Sequence, residues 1–363
     1  MKIIFLANLA HGSTSMQRMK ALQRLGHSVI PLDTKYTGHW ISRYLQHQIN
    51  RIDYHLTDWR IDPWRVNSRL LTLLDREQDY QALWLERALM VRPATLKKIA
   101  QRWPHLVIAG YSPDDQMNPA NHSRIYLKSI PLYDVLFTNK TFNVSDLYDI
   151  GARSVVFVKN GFDPDTHRPV PLTSEERERF GAQVSFVGTF ERERAEYLRI
   201  IAEMKICTIK VWGNDWNKMK NPGALKSCIQ GIAVYGDDYA RVICASNINL
   251  CFLRKANRDQ VTTRSVEIPA CGGFMLAERT DEHLALFAED REAAYFVFVE
   301  EMNAKVKYYL EHPKKRHEIA KAGRQRCLNA GYSNLELMKG MVEILQDEAN
   351  RKNGSSVKTL NLN

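Results

Sequence analysis

Strand-like apolar runs alternate with amphipathic helical segments along the 363-residue chain, and the alternation restarts after a proline-rich, charged segment near its middle. The length exceeds one ordinary core and fits about two domains of roughly 100–200 residues each. These observations predict an α/β fold of two Rossmann-like domains, each built on a parallel sheet, facing one another across a cleft.

The first series of strands reads KIIFLAN (2–8), HSVIPLD (27–33), ALWLE (82–86), HLVIAGY (105–111), DVLFTN (134–139) and SVVFVKN (154–160). Between the first two, Met16, Met19, Leu22 and Leu25 share one helical face, and Gly26 ends the helix as a left-handed cap. A helical insert rich in Trp, Tyr, His and Arg interrupts the rhythm over 36–77. The second series runs through VSFVGTF (184–190), CTIKVWG (207–213), IAVYG (232–236), INLCFL (248–253) and GGFMLAE (272–278). Between the two, NGFDPDTHRPVPLTSEERERFG (160–181) carries three prolines and a charged run, the signature of a linker. The expected division is a first domain over 1–165, a second over 166–334, a helix over 335–350 and a flexible tail over 351–363.

Hydrophobic content of 44% and charged content of 25% are those of a globular protein. No stretch approaches the ~18 consecutive apolar residues of a membrane span, and the apolar start reads as a first strand rather than a signal peptide. Six cysteines stand at 207, 228, 244, 251, 271 and 327 with no C-x-x-C pair. That argues against a zinc site or a disulfide scaffold and for free thiols in a reducing cytoplasm. The net charge of +10 is spread thinly among alternating acids and bases. With no RNA or DNA motif, no nucleic-acid partner is expected; a basic surface suits an anionic ligand or an anionic membrane face.

Four segments could carry chemistry. In LAHGSTS, Gly12 and Ser13 form either a tight strand-to-helix turn with Ser13 or Thr14 as N-cap, or a loop that a sugar or phosphate approaches. In FVGTFERERAEYL, Gly188 lets a ligand near the backbone. Arg192 and Arg194 stand where a helix begins, a poor place for cations unless a diphosphate lies between. In RKANRDQVTTRSVEIPACGG, Thr262 or Thr263 can cap a short helix that Pro269 and Gly272-Gly273 keep short. Glu267 then either complements the helix dipole or, with Asp259 and Arg264 nearby, holds a ligand. In GYSPDDQMNPANHSRIY, Asp114, Asp115 and His122 crowd a loop at a strand's carboxyl end, as base, acceptor clamp or metal ligands, or as a self-satisfied Asx turn.

The stretch TTRSVEIPACGGFMLAERTDEH resembles the C-terminal signature of CgeB-like glycosyltransferases, a GT-B-fold group related to family 4 glycosyltransferases. The segments GSTSMQRMKALQRLGHSV, SPDDQMNPANHSRIYLKSIPLYDVLFTNKTFNVSDL, NGFDPDTHRPV and YYLEHPKKRHEIAKAGRQR are similar to that group in the expected order. The likeness is thin over 36–77, whose Trp40, Trp59 and Trp64 suit a helical core as well as a large acceptor.

The resemblance implies transfer of a sugar from a nucleotide-diphosphate donor, a UDP- or GDP-sugar, to a hydroxyl of a glycan, lipid-linked or protein acceptor. It implies a role in surface or extracellular glycan assembly and a last helix returning to the first domain; the free thiols point to the cytoplasm, and the aromatic, basic insert over 36–77 to peripheral contact with an anionic membrane. By this resemblance Glu267 binds the donor ribose and Asp259, where the commoner residue is Glu, faces the donor sugar. Arg194 with Gly188 binds the diphosphate, Gly213 and Tyr235 pass near the base, and Gly12 and Ser13 line the opposite wall of the cleft. Arg264 would assist Arg194, and Asp114 or Asp115 would meet the acceptor. No resident cofactor or metal is expected, since no D-x-D motif stands in a setting for a metal–diphosphate site. The resemblance, through the acid-x7-acid arrangement of Asp259 and Glu267, implies retention of anomeric configuration. A non-hydrolysing nucleotide-sugar epimerase and a non-catalytic surface-assembly protein are the alternatives.

Overall fold

The structure is a computed structural model that describes residues 1–34, 62, 64–76 and 79–354. Trp40, Trp59, most of the insert expected over 36–77 and the end of the tail lie outside the described residues. Two units emerge, one made of residues up to Lys159 together with those from Leu335 onward, the other of Asn160–Asn334.

The first unit carries β1 (Lys2–Ala7), β2 (Ser28–Asp33), β3 (Ala82–Glu86), β4 (Val107–Ser112), β5 (Val135–Thr138) and β6 (Val155–Phe157) in the order β2-β1-β3-β4-β5-β6. All pairs are parallel, and in register Ile4 of β1 lies between Ile30 and Leu83. Parallel sheets are covered on both faces, so their strands read as continuous apolar runs. Here Ile3, Phe5 and Ala7 point into one core and Ile4 and Leu6 into another. The first core is closed by α1 (Thr14–Arg24) and by the long last helix, Asn334–Lys352, which contributes Met338, Met341, Val342 and Leu345. The second is closed by α2 (Val66–Arg76) and α3 (Pro93–Arg102), with the partly buried Trp64 packed against it.

The second unit carries β7 (Val184–Val187), β8 (Ile209–Trp212), β9 (Ile248–Cys251), β10 (Met275–Glu278) and β11 (Ala294–Phe296) in the order β11-β10-β9-β7-β8, again all parallel. Phe186, Leu250 and Leu276 pack on one face against the helices Arg192–Met204 and Val299–Glu311. Cys251, Met275 and Ala277 pack on the other against Gly236–Ala245 and Arg264–Ala270.

Three sequence expectations are corrected. IAVYG forms no strand: residues 233–235 are irregular and a helix starts at Gly236. Strand β11, three residues within the apolar run 293–299, has no counterpart among the expected strands. The expected linker is part of the second unit. Its Ser174–Phe180 stretch is a helix with a Thr173–Glu176 capping box, and Phe180 is buried.

Each sheet repeats one layout. The first strand of each series lies between the second and the third, so successive connections leave β1/β3 and β7/β9 in opposite directions. At such switch points the carboxyl ends of the strands leave a crevice where α/β proteins take their ligands.

Candidate functional site

An arginine from the following helix stands at each switch point, and the two are treated differently. In the first unit Arg18 of α1 lies on the same helical face as Ala21 and Leu22, yet it is buried. Its Nε donates to Glu86 Oε2 at 3.1 Å, its Nη2 pairs with Glu86 Oε1, and Ser15 Oγ donates to the same carboxylate at 2.7 Å. The guanidinium lies 4.4 Å from the Tyr111 ring centroid. Burial opposes its charge, but Glu86 together with Tyr111 and Asp114 more than offsets burial and raises its pKa. The crevice of the first sheet is thus already neutralised.

In the second unit the charge is only partly matched. Arg194, third residue of the helix Arg192–Met204, is 5% exposed and spans the β7/β9 crevice, its Nη2 donating to Leu253 O at 3.3 Å and to Glu191 Oε2 at 2.8 Å. Glu191 is half-buried and shared with Arg254 at 2.9 Å. Arg194 faces a second cation, Arg264, and both guanidiniums lie over the Phe186 ring, at 5.6 and 5.9 Å from its centroid. Burial first, and Arg264 second, lower the Arg194 pKa. The Nε atoms of both arginines are buried without a hydrogen-bond partner. An orphaned buried donor on a charged group is costly, and two beside each other mark a place for an anion. A cavity of about 600 Å³ opens alongside, lined by Arg194, Tyr197, Leu253, Lys255 and Glu278 among others, within the range of small-molecule sites.

The backbone around this crevice is held by close approach. Gly188 N donates to Trp212 O at 2.8 Å, and Gly188 O accepts from Trp216 Nε1 at 2.9 Å. Gly213 has φ +146, and a Cβ there would stand 2.0 Å from Gly188 O. A Cβ on Gly188 would meet the Phe186 ring at 2.6 Å. Both glycines therefore serve packing of the β7 and β8 ends. Tyr235, 47% exposed, sits one residue before the helix Gly236–Ala245 and accepts from Asn214 Nδ2 at 3.3 Å.

The short helix Arg264–Ala270 carries Arg264 and Glu267 three residues apart, on one face. It stops at Gly272 with φ +77. Neither Thr262 nor Thr263 caps it by its side chain; instead Ser265 Oγ accepts from Thr262 N at 3.0 Å. Ser265 Oγ also contacts His283 Nε2 at 2.7 Å, while His283 Nδ1 donates to Glu278 O at 2.6 Å. Burial drives the His283 pKa down to about 4, so this neutral ring ties the helix start to the end of β10. Glu267 is buried, and its Oε1 lies 3.7 Å from His167 Nε2. The His167 ring stands edge-on to Tyr239, centroids 5.4 Å apart. The Tyr239 pKa is raised well above its usual value by burial and then by Glu267. Asp259, also buried, accepts from Asn257 Nδ2 at 2.7 Å.

The remaining expected residues lie in the first unit. Gly12 turns with φ +74 and Ser13 is the N-cap of α1, its hydroxyl accepting from Met16 N and donating to Asn8 O, both at 3.2 Å. Asp114 Oδ2 lies 2.8 Å from Arg87 Nη1. The buried Asp115 accepts from Met117 N at 3.0 Å and Asn143 Nδ2 at 3.1 Å, holding its own loop. His122 Nδ1 donates to Gln116 O at 3.0 Å.

Sequence reasoning thus named Arg194, Arg264 and Glu267, which the structure brings to one crevice and its flanking helix. It missed Phe186, His167, Tyr239 and His283, and the Arg18–Glu86 pair. The signal for Arg18 was a cation on an apolar helical stripe; His167 was hidden by the linker reading of its segment. Among the described residues no group of three or more His, Cys, Asp or Glu is arranged to hold a metal ion, and no helix is long and apolar enough to cross a membrane.

Comparison with known proteins bears on this arrangement. Residues 192–341 match the family model described as glycosyl transferase-like. Sequence comparison with curated proteins finds no match. Among solved structures, HepE from Anabaena, in complex with UDP and glucose, aligns over 95% of this chain and 99% of its own, with 12% identity and a TM-score of 0.66. A sucrose-phosphate synthase from Thermosynechococcus elongatus aligns over 95% and 98%, with 12% identity and a TM-score of 0.62. A glycosyltransferase from Rickettsia africae aligns over 96% and 98%, with 15% identity and a TM-score of 0.61. The chain therefore has the two-unit α/β fold of the GT-B glycosyltransferases, and its residues 192–341 are similar to a glycosyl transferase-like family.

Proposed function

We propose that the protein is a CgeB-like glycosyltransferase that binds a nucleotide-diphosphate sugar at the carboxyl ends of β7 and β9. The observation that carries this reading is the pair Arg194 and Arg264, two guanidiniums over one aromatic ring with a buried, partnerless Nε each. A diphosphate would satisfy both donors and cancel their repulsion. Transfer breaks the bond between the anomeric carbon and the diphosphate oxygen, and negative charge grows on that oxygen. Two preorganised cations stabilise that growing charge more than the ground state, which is what accelerates the reaction. They supply the positive charge that a divalent ion supplies in other transferases.

Glu267, on the same helix face as Arg264, is the ribose anchor in this reading, and Asp259 the acid facing the donor sugar. Gly213 and Tyr235 flank the base, and UDP is the first base to test because HepE holds it. Asp114, set by Arg87, is the acceptor-side candidate; Asp115 is committed to its loop. Retention of configuration and a role in surface glycan assembly follow from the sequence resemblance and belong to the same proposal.

Calorimetry with UDP and with uridine tests the reading. Arg194→Ala is expected to weaken UDP binding at least about tenfold, the scale of a lost charge-assisted hydrogen bond, and to leave uridine binding unchanged. Equal affinity of the wild type and Arg194→Ala for UDP would overturn the site. Release of an isomerised sugar nucleotide without any acceptor would replace transfer by epimerisation.

A further inference from the structure

The environment of Glu267 is incomplete in a specific way. The residue is buried, yet among the described residues no donor hydrogen-bonds its carboxylate; His167 Nε2 stands 3.7 Å from Oε1. His167 is not there by accident of a mobile segment. Its N donates to Asp163 O at 2.7 Å, Thr166 Oγ1 donates to Asp163 Oδ2 at 2.9 Å, and Asp163 N donates to His167 Nδ1 at 2.9 Å. The preceding Phe162 is bonded on both sides, its N to Tyr332 O and its O to Asn334 N. Because Nδ1 accepts a backbone N–H, the proton of the neutral ring sits on Nε2, the atom that faces Glu267. Tyr239, edge-on to the ring, blocks it on another side, and the Tyr239 hydroxyl is buried without a partner.

We propose that His167 is a positioning residue for Glu267: its Nε2–H closes on Oε1 when a nucleotide binds, fixing the carboxylate so that its remaining lone pairs take the ribose hydroxyls. This rests on the reading of Glu267 as ribose anchor. A carboxylate on a flexible stem aims at two vicinal hydroxyls only if its rotation is restrained, and a donor held by a hydrogen-bonded turn supplies that restraint. The segment joining the two series of strands thereby becomes part of the nucleotide site.

The test is calorimetric titration of UDP and of 2′,3′-dideoxy-UDP, which lacks both hydroxyls, into the wild type, Glu267→Ala, His167→Phe and His167→Gln. The wild type is expected to prefer UDP at least about tenfold, from hydrogen bonds to a charged acceptor. Glu267→Ala and His167→Phe are each expected to reduce that preference to within about twofold, while His167→Gln, which restores a donor near the Nε2 position, recovers most of it. If His167→Phe fails to fold, His167→Asn, which keeps an acceptor near Nδ1 and removes the Nε2 donor, takes its place. A His167 variant that lowers the melting temperature but keeps the full preference for UDP overturns the proposal and leaves Glu267 as anchor. A wild type with no preference between the two ligands overturns the ribose reading itself, and this inference with it.

Discussion

Burial of His283 makes the second unit sensitive to acid. Its ring is fully buried, Nδ1 bonded to Glu278 O and Nε2 to Ser265 Oγ, and burial lowers its pKa from 6.5 to about 4. Protonating Nε2 would set a second donor against a hydroxyl that already accepts from Thr262 N. The unfolded chain takes up the proton near pH 6.5 and the folded one only near 4, so between these values the unfolded state binds more protons and stability falls as pH falls. A gap of about 2.5 pKa units corresponds to about 3 kcal/mol, lost between pH 6.5 and 4 and constant below. At pH 5.5 most unfolded chains carry a proton at this site and almost no folded ones do, a slope of about 1 kcal/mol per pH unit. Urea denaturation from pH 7.5 to 4.5, compared between wild type and His283→Gln, reads this directly. The variant is less stable at neutral pH but is expected to lose less on acidification. Parallel stability curves for the two proteins across that range would refute a neutral buried His283.

Glu86→Gln leaves the Arg18 guanidinium buried without its counter-charge, and is expected to cost about 3–5 kcal/mol in denaturant titration while UDP affinity, a property of the other unit, stays unchanged. Gly273→Ala would place a Cβ 2.4 Å from Ile243 Cγ2 and 2.8 Å from Asn249 Nδ2. A loss of about 1–3 kcal/mol is expected from such overpacking, together with weaker UDP binding, because the residue joins the helix of Glu267 to β10.

The layered fold was legible because parallel strands with two covered faces leave long apolar runs, as KIIFLA and ALWLE do. What failed was local. IAVYG has the composition of a strand but is irregular chain leading to the Gly236–Ala245 helix, and β11 is three residues of an apolar run, 293–299, that continues directly into the next helix. Within the site, Arg194 stood out because a cation at a helix start needs a reason. His167 and His283 did not, because their meaning lies in contacts to Glu267 and Ser265 roughly 100 and 18 residues away in sequence, which no local pattern encodes. The prolines around His167 pointed to a linker, whereas they stiffen a turn whose hydrogen bonds aim the ring.

The last helix carries a consequence for the order in which the chain acquires structure. Met338, Met341, Val342 and Leu345 fill a core whose other residues lie mostly before Lys159. All residues of the Asn160–Asn334 unit are contiguous. During synthesis, at about 5–20 residues per second, that later unit has its complete core as soon as residue 334 has emerged. The sheet made first must wait, one core incomplete, for a helix made after the whole second unit. The half with the candidate nucleotide site can thus be finished while the first core still lacks Met338, Met341, Val342 and Leu345, and a ribosome-bound chain stalled once residue 334 has cleared the ribosome is expected to bind UDP already.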